Sequence, residues 1–204
     1  RMAIAAEGLV DGVALIEDAS EALGASYLDG PFAGMQVGAI GQLGCFSFNG
    51  NKLLTSGGGG MITTNDPELA RRAKHLTTQA RLPGLEYRHD EVGYNYRLTN
   101  LAAALGLAQL EKMDDLLERK RANARHYDSR LCDLPGIEPG PRTSWSRASH
   151  WLYSVTVDPE QFGRSSRETI EFLQTMNIEA RPIWSPLHTL PMFADAPRLG
   201  SGKV

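Results

Sequence analysis

The chain has 204 residues, 42% of them hydrophobic and 22% charged, which suits an ordinary globular protein with one large core or one and a half domains. Its formal net charge of -3 and pI near 6.0 argue against a nucleic-acid-binding surface. Apolar runs fall short of the roughly 20 residues of a membrane-spanning helix, and the N-terminal residues do not open a signal peptide. We therefore expect a cytoplasmic protein without nucleic-acid or membrane partners.

The first part of the chain predicts short strands. An apolar run at 13–16 ends in the acidic pair Glu17-Asp18, which is typical of a buried parallel strand with chemistry at its carboxyl end. Residues 45–48 and 61–64 predict two more strands. These strands and the helices that follow indicate an α/β protein.

Helices and a long loop follow. A capping aspartate, a proline and a glutamate at 66–68 predict a helix to about residue 79. Residues 82–97 lack a clear period and predict a long loop of the kind that is often functional. Apolar residues at helical spacing predict a helix from Thr99, and a further helix ends at 134–136.

The segment 139–149 is the best candidate for a domain boundary because its composition shifts to proline, glycine and serine. We therefore predict a large domain over 1–140 and a smaller α/β domain over 141–204. The smaller domain is expected to hold, in order, a strand at 151–157, a capped helix at 165–176, a strand at 178–182 and an irregular, disordered tail after residue 191.

The most informative residue is Lys52, which stands between an apolar strand and four glycines at 57–60. A lysine amine in a partly desolvated pocket at a strand end is able to form a Schiff base with an aldehyde. Glycines let the backbone approach a ligand or another strand closely. The alternative from local sequence is an exposed turn lysine followed by a glycine hairpin.

Asp18 stands at another predicted strand end, on the side where α/β sheets bind ligands. Taken alone, it is equally well explained as a helix cap. Taken with Lys52, it fits a pyridoxal phosphate site, in which the lysine forms the aldimine and a carboxylate keeps the pyridine nitrogen protonated.

No metal or disulfide is predicted. Cys45 and Cys132 have no paired spacing, so both thiols are expected to be free and reduced. Four histidines show no metal-ligand spacing, namely His75, His89, His126 and His150.

Four motifs occur in the order found in one enzyme family: EDASE at 17–21, CFSF at 45–48, GNK at 50–52 with GGGG at 57–60, and GYNYR at 93–97. With them, the chain resembles the DegT/DnrJ/EryC1/StrS sugar aminotransferases from about Val13 to Phe193. The resemblance implies part of the large domain of a fold type I, aspartate aminotransferase-like enzyme, plus a smaller C-terminal α/β domain.

The resemblance also implies residue roles. Lys52 would be the Schiff-base lysine, and Asp18 would pair with the pyridine nitrogen of pyridoxal 5'-phosphate. Glu21, where many relatives have glutamine, would lie near the ring hydroxyl, and Ser47 would bind the phosphate. Asn95 would reach the cofactor phosphate of a neighbouring subunit, which implies a homodimer with shared sites. Taken alone, Ser47 and Asn95 are ordinary strand and turn residues.

Two further residues resemble a family segment near the sugar-nucleotide site. They are Arg181 and His188, which we predict to bind substrate, although His188 could equally be a packed or solvated histidine.

The activity implied by the resemblance is transfer of an amino group from an amino acid, with glutamate expected, to a nucleotide-linked keto sugar. The segment from Asn49 to Lys52 with its glycines is most similar to the branch acting on UDP-linked 4-keto-6-deoxy-N-acetyl sugars. Family dehydratases carry histidine in place of the lysine, so Lys52 argues against that activity.

Relatives begin upstream with a phosphate-binding turn and continue past Phe193, so we expect this chain to be a fragment of doubtful activity on its own. Such a fragment would expose apolar surface and unpaired strand edges, which favours dimerisation. The competing hypothesis is a non-catalytic remnant retained for binding or assembly.

Overall fold

The computed structural model describes residues 13–197. Contacts divide these residues into two units, the first comprising 13–127 and 141–153 and the second 128–140 and 154–197. The division into domains 1–140 and 141–204 stays a prediction. Between residues 13 and 197, no helix has the length and apolar character needed to cross a membrane.

The described strands are β1 (Ile16–Asp18), β2 (Ser26–Tyr27), β3 (Leu43–Ser47), β4 (Gly60–Thr63), β5 (Ile137–Pro139), β6 (Ser146–Arg147) and β7 (Val155–Val157). The described helices are α1 (Pro67–Thr77), α2 (Asn100–Leu110), α3 (Met113–Leu131), α4 (Pro159–Phe162) and α5 (Ser166–Thr175). Three short 3-10 turns cover Gly30–Phe32, Leu187–Thr189 and Pro191–Phe193.

The sheet of the first unit has the order β1-β3-β4. β1 and β3 are parallel, with Asp18 opposite Cys45, and β3 and β4 are antiparallel, with Ser47 opposite Gly60. The acidic pair therefore lies at the carboxyl end of β1, where the backbone of residues 17 and 18 pairs with β3. At Gly60 a Cβ atom would overlap the Phe46 carbonyl oxygen, so the glycine run does serve close approach between strands.

Local capping explains the helix starts. Asp66 accepts hydrogen bonds from the backbone N–H groups of residues 68 and 69, and Thr99 accepts one from Ala102. Ser165 and Glu168 form a capping box at the start of α5. The predicted helices at these positions are confirmed. Residues 82–97, all of them described, contain no helix or strand, as predicted.

Two predictions for the C-terminal part need correction. The strand at 178–182 is wrong, since these residues are irregular and form no ladder with another strand. The strand at 151–157 is confirmed only over β7, which pairs with β5. The tail after residue 191 begins with a 3-10 turn, and the part of the prediction on 198–204 falls outside the described residues.

The core of the first unit lies around the connection from β3 to β4. Phe48, Leu53, Leu54 and Trp151 are buried there, whereas the sheet leaves Ile16 exposed and α2 leaves Leu101 86% exposed. Both cysteines are free, as predicted. The apolar exposure is what we expected of an open sheet, and the buried residues fix the loop that carries Lys52.

Candidate active site

Lys52 lies in the turn that follows β3. Its backbone N–H donates to the Asn49 carbonyl oxygen at 3.1 Å, and the next two residues, Leu53 and Leu54, are buried. The Lys52 side chain is only 12% exposed, which contradicts its interpretation as an exposed turn lysine. Burial of the two leucines thus anchors the turn and directs the lysine inward.

Two side chains contact the Lys52 amine. The Nζ atom donates to Glu21 Oε1 at 3.2 Å and lies 3.9 Å from the centroid of the Trp151 ring. Glu21 belongs to the turn after β1, which is held to β3 by a hydrogen bond from Ala19 N–H to the Cys45 carbonyl oxygen. The structure therefore brings Glu21 and Lys52 together, as the resemblance implies for residues around one cofactor.

Asp18 ends β1 beside β3. Its Oδ1 accepts hydrogen bonds from the Ser20 hydroxyl at 2.5 Å and from the Ser20 N–H at 3.1 Å. Hydrogen bonds from the Ser20 hydroxyl and then from its N–H lower the pKa of Asp18, burial opposes them to a lesser extent, and the positive charge of Lys52 adds the smallest lowering effect. Residues 20–24 form turns, so Asp18 does not cap a helix there. Because β1 and β3 are parallel neighbours, Asp18 and Lys52 lie at the same edge of the sheet.

Ser47 is the last residue of β3 and faces Gly60 of β4. Its Oγ accepts a long hydrogen bond, 3.4 Å, from the Asn49 N–H, so the hydroxyl retains capacity for a further partner. Asn95 is exposed and lies in the loop beside α1, where its backbone bridges to Thr78. The phosphate-binding roles of Ser47 and Asn95 stay predictions.

Arg181 and His188 belong to the second unit. Arg181 is exposed and pairs with Glu179, and His188 is half-buried in a 3-10 turn. Their assignment to a substrate site stays a prediction.

The site residue that sequence reasoning missed is Trp151. It was expected in a strand, and its role depends on a hydrogen bond to Asn51, which is 100 residues distant in the chain. No spacing or motif in the sequence signals such a contact.

The arrangement fits pyridoxal 5'-phosphate. Two adjacent parallel strands end in the Asp18 carboxylate and the Ser47 hydroxyl, and the largely buried amine of Lys52 lies in the turn after the second strand. This is the donor set that a pyridine nitrogen, a phosphate and an aldehyde require. A cavity of about 670 Å³ borders Asp18 and Glu17. Lys52 does not line this cavity, so the donor set and not the cavity supports the cofactor site.

Among residues 13–197, one cluster has the composition of a metal site. Ligand atoms of His75, Asp90 and Glu91 lie within 4.8 Å of one another. Glu91 is engaged by both terminal nitrogens of Arg72, and His75 Nε2 lies 2.7 Å from Asp90 Oδ1. A cation would have to displace the Arg72 guanidinium, so we interpret the cluster as an ion-pair network that joins α1 to the loop at 82–97.

Comparisons with known proteins agree with this geometry. The chain is 43% identical over 185 residues to "Putative pyridoxal phosphate-dependent aminotransferase EpsN" of Bacillus subtilis, covering 91% of this chain and 46% of the relative. It is 41% identical over 182 residues to GDP-perosamine synthase of Vibrio cholerae, covering 89% and 48%. The solved structure of Helicobacter pylori PseC, an aminotransferase involved in the biosynthesis of pseudoaminic acid, matches with a TM-score of 0.83 at 26% identity, covering 94% and 51%.

The chain thus spans about half the length of the curated relatives it matches. The structural matches confirm the α/β fold of the fold type I aminotransferases. The family model for the DegT/DnrJ/EryC1/StrS aminotransferases matches residues 3–203. A match over nearly the whole chain, together with Lys52 and Asp18 at one sheet edge, leads to one conclusion: the chain belongs to the DegT/DnrJ/EryC1/StrS aminotransferase family.

Proposed function

We propose that the protein containing this chain is a pyridoxal 5'-phosphate-dependent aminotransferase that moves an amino group from an amino acid to a nucleotide-linked keto sugar. The observation that carries the proposal is the Lys52 amine, largely buried at the sheet edge that also bears Asp18. Family membership supports the same reaction.

The cofactor, when bound, supplies an aldehyde that captures amines covalently and a ring that accepts electrons. Lys52 Nζ is the nucleophile toward that aldehyde and the group that carries a proton to and from the reacting carbon of the substrate. The Asp18 carboxylate, ionised at neutral pH, would hold a proton on the ring nitrogen, and the direction in which its pKa is shifted also favours the charged form. Glu21 orients Nζ by accepting its hydrogen bond.

The finer substrate assignment is also a proposal. Relatives are named for sugars linked to GDP, dTDP and UDP, which supports a nucleotide-linked sugar as the substrate class. Within it we propose a UDP-linked 4-keto-6-deoxy-N-acetyl sugar, with glutamate as the amino donor. Arg181 would bind the diphosphate through its guanidinium after leaving Glu179, and His188 would contact the same substrate.

A homodimer with shared sites completes the proposal, with Asn95 reaching the phosphate held by Ser47 of a second copy. Exposure of Asn95 is consistent with this role. Its loop is attached to α1 by backbone hydrogen bonds from Tyr94 N–H to the Leu76 carbonyl oxygen at 2.7 Å and from Tyr96 N–H to the Thr77 carbonyl oxygen at 3.0 Å, so the position of Asn95 is supported from a helix.

The test is to add the cofactor to the purified protein, record the visible absorption of the bound cofactor, reduce with borohydride and locate the label by peptide mass spectrometry. We expect the label on Lys52, and loss of both band and label in Lys52→Arg. Lys74→Arg, which changes an exposed lysine of α1, is the matched control and should leave both intact.

Addition of glutamate should then bleach the band, and UDP-, GDP- and dTDP-linked keto sugars should restore it to different extents. A protein that binds none of the cofactor would support the non-catalytic hypothesis instead. A label distributed over exposed lysines would equally contradict the proposal.

A further inference from the structure

We propose that Trp151 is a positioning residue for the Lys52 amine, using its ring face to confine Nζ and its ring N–H to hold the backbone beside Lys52. This inference rests on the proposed function, since the amine, once it has lost its proton, is positioned to add to the cofactor aldehyde, with a C=N bond forming as the aldehyde oxygen leaves as water. Nζ lies 3.9 Å from the ring centroid, inside the distance at which an ammonium group is attracted to an aromatic face.

Trp151 is suited to this task because it is itself fixed. The side chain is buried, with 7% exposed, and its Nε1–H donates to the Asn51 carbonyl oxygen at 2.5 Å. Its own carbonyl oxygen accepts a hydrogen bond from Lys120 Nζ of α3 at 3.1 Å. One indole therefore contacts both the amine of Lys52 and the carbonyl group of the residue immediately before it.

The two contacts have different consequences. A lysine side chain has four flexible methylene groups, so an unconfined amine spends only a fraction of its time in a geometry suitable for attack. The ring face and Glu21 Oε1 restrict Nζ at 3.9 and 3.2 Å. The Nε1–H bond restricts the Lys52 backbone instead, and phenylalanine at 151 would keep the first restriction while removing the second.

The position of Trp151 is maintained by the segment 141–153. This segment belongs to the first unit, where β6 pairs with β2 and Arg121 donates to the Ala148 carbonyl oxygen at 3.3 Å. Trp145, in the same segment, stacks on Tyr27 with ring centroids 6.3 Å apart. Trp145 therefore provides a control position for Trp151, because it is a tryptophan of the same segment whose ring lies against Tyr27 and not against Lys52.

The experiment compares the wild-type protein with Trp151→Leu, Trp151→Phe and Trp145→Leu. The first measurement is the rate at which Lys52 captures pyridoxal 5'-phosphate, trapped with borohydride and quantified on the Lys52 peptide. Trp151→Leu should slow capture about tenfold, and Trp151→Phe about two- to threefold, because it keeps an aromatic face. Trp145→Leu should capture at the wild-type rate.

The second measurement does not involve the cofactor. Protons above an aromatic ring resonate upfield, so the Lys52 methylene next to Nζ should show an upfield NMR signal, identified by its loss in Lys52→Arg. That signal should move to an ordinary lysine position in Trp151→Leu and persist in Trp151→Phe. Wild-type capture in a folded Trp151→Leu protein, or an upfield signal that survives this change, would overturn the inference.

The two measurements separate the possible failures. If the wild-type protein captures no cofactor at Lys52, the proposed function fails, and the NMR signal alone decides on the positioning role. If Trp151→Leu does not fold, Trp151→Phe decides. Capture slowed at least twofold, with the upfield signal retained, supports the inference. Capture at the wild-type rate, with the signal lost, refutes it.

Discussion

Glu17 provides the sharpest test of how the site edge is built. Its carboxylate accepts three backbone hydrogen bonds, with Oε1 bonded to Gly38 N–H at 2.8 Å and Oε2 bonded to Ile40 and Gly41 N–H at 2.7 Å each. Glu17 therefore fixes the loop at 38–41 against β1, immediately before Asp18. We predict that Glu17→Ala destabilises the first unit strongly.

The magnitude follows from the number of bonds. Each hydrogen bond to a charged acceptor contributes about 1.5–3 kcal/mol, so complete loss of three without replacement would cost about 5–9 kcal/mol. These bonds are only partly buried, and water is able to replace the carboxylate after truncation. We therefore expect Glu17→Ala to lower the free energy of unfolding by about 2–4 kcal/mol.

Glu17→Gln should be milder. The amide oxygen of the new glutamine is able to accept hydrogen bonds from the N–H groups of Ile40 and Gly41. Its NH2 group would face the Gly38 N–H, where no hydrogen bond forms, so we expect the free energy of unfolding to fall by about 1–2 kcal/mol. Urea titration followed by tryptophan fluorescence measures both variants. Amide hydrogen exchange at residues 38, 40 and 41 reports the same bonds locally and should accelerate in Glu17→Ala.

Glu86→Ala is the control, because this glutamate of the first unit is 71% exposed and forms a surface ion pair with Arg88. Its effect should stay below about 1 kcal/mol. If Glu17→Ala changes stability no more than Glu86→Ala does, the three hydrogen bonds do not stabilise this edge and the reasoning is refuted.

Three further predictions follow from local geometry. Ser20→Ala should raise the pKa of Asp18 toward its ordinary value, as read by NMR titration of the carboxyl group, and an unchanged pKa would contradict this. A lowered folded-state pKa stabilises the protein above the unfolded-state pKa, and this stability is lost as the pH falls through the folded-state pKa. The variant should therefore lose less stability on acidification than the wild-type protein. In Gly44→Ala the added Cβ atom would overlap the Gly38 carbonyl oxygen and lie 2.7 Å from Thr63 Oγ1, so urea titration should show a free energy of unfolding lowered by about 2–3 kcal/mol. The control Gly50→Ala, which has open space for its Cβ atom, should change that free energy by less than about 1 kcal/mol. Asp66→Ala removes the cap of α1 and should cost about 1 kcal/mol in the same titration, and an unchanged midpoint would show that water replaces the cap without loss.

The parts of the fold that were predicted correctly depend on neighbouring residues. The starts of α1 and α5 were located because capping side chains bond to backbone groups two or three positions ahead, as Asp66 and Ser165 do. The strand at 178–182 failed because alternation alone does not supply a partner strand. Whether a segment pairs depends on contacts that the local pattern does not contain.

The same distinction applies to the site. Lys52 and Asp18 were predicted from strand ends, and parallel pairing of β1 with β3 accounts for their common edge. Glu17 was predicted, together with Asp18, to lie at a strand end that carries catalytic residues. Its carboxylate instead accepts hydrogen bonds from backbone N–H groups 21 to 24 residues further along the chain. Alternation of side chains along a strand explains the difference, since adjacent residues of β1 face opposite sides.

The segment 141–153 shows how a stretch with linker-like composition brings a side chain beside Lys52. Proline, glycine and serine mark its beginning as a linker or loop and as the best candidate for a domain boundary. Its β6 strand nevertheless pairs with β2, and Arg121 donates to the Ala148 carbonyl oxygen, so the segment is attached to the first unit before it reaches residue 151. That attachment is what allows a tryptophan so distant in sequence to lie against the Lys52 amine. Breaking the backbone pairing of β2 with β6 should therefore release Trp151 from Lys52 even when both residues are unchanged, whereas Trp145→Leu, which keeps this pairing, should not.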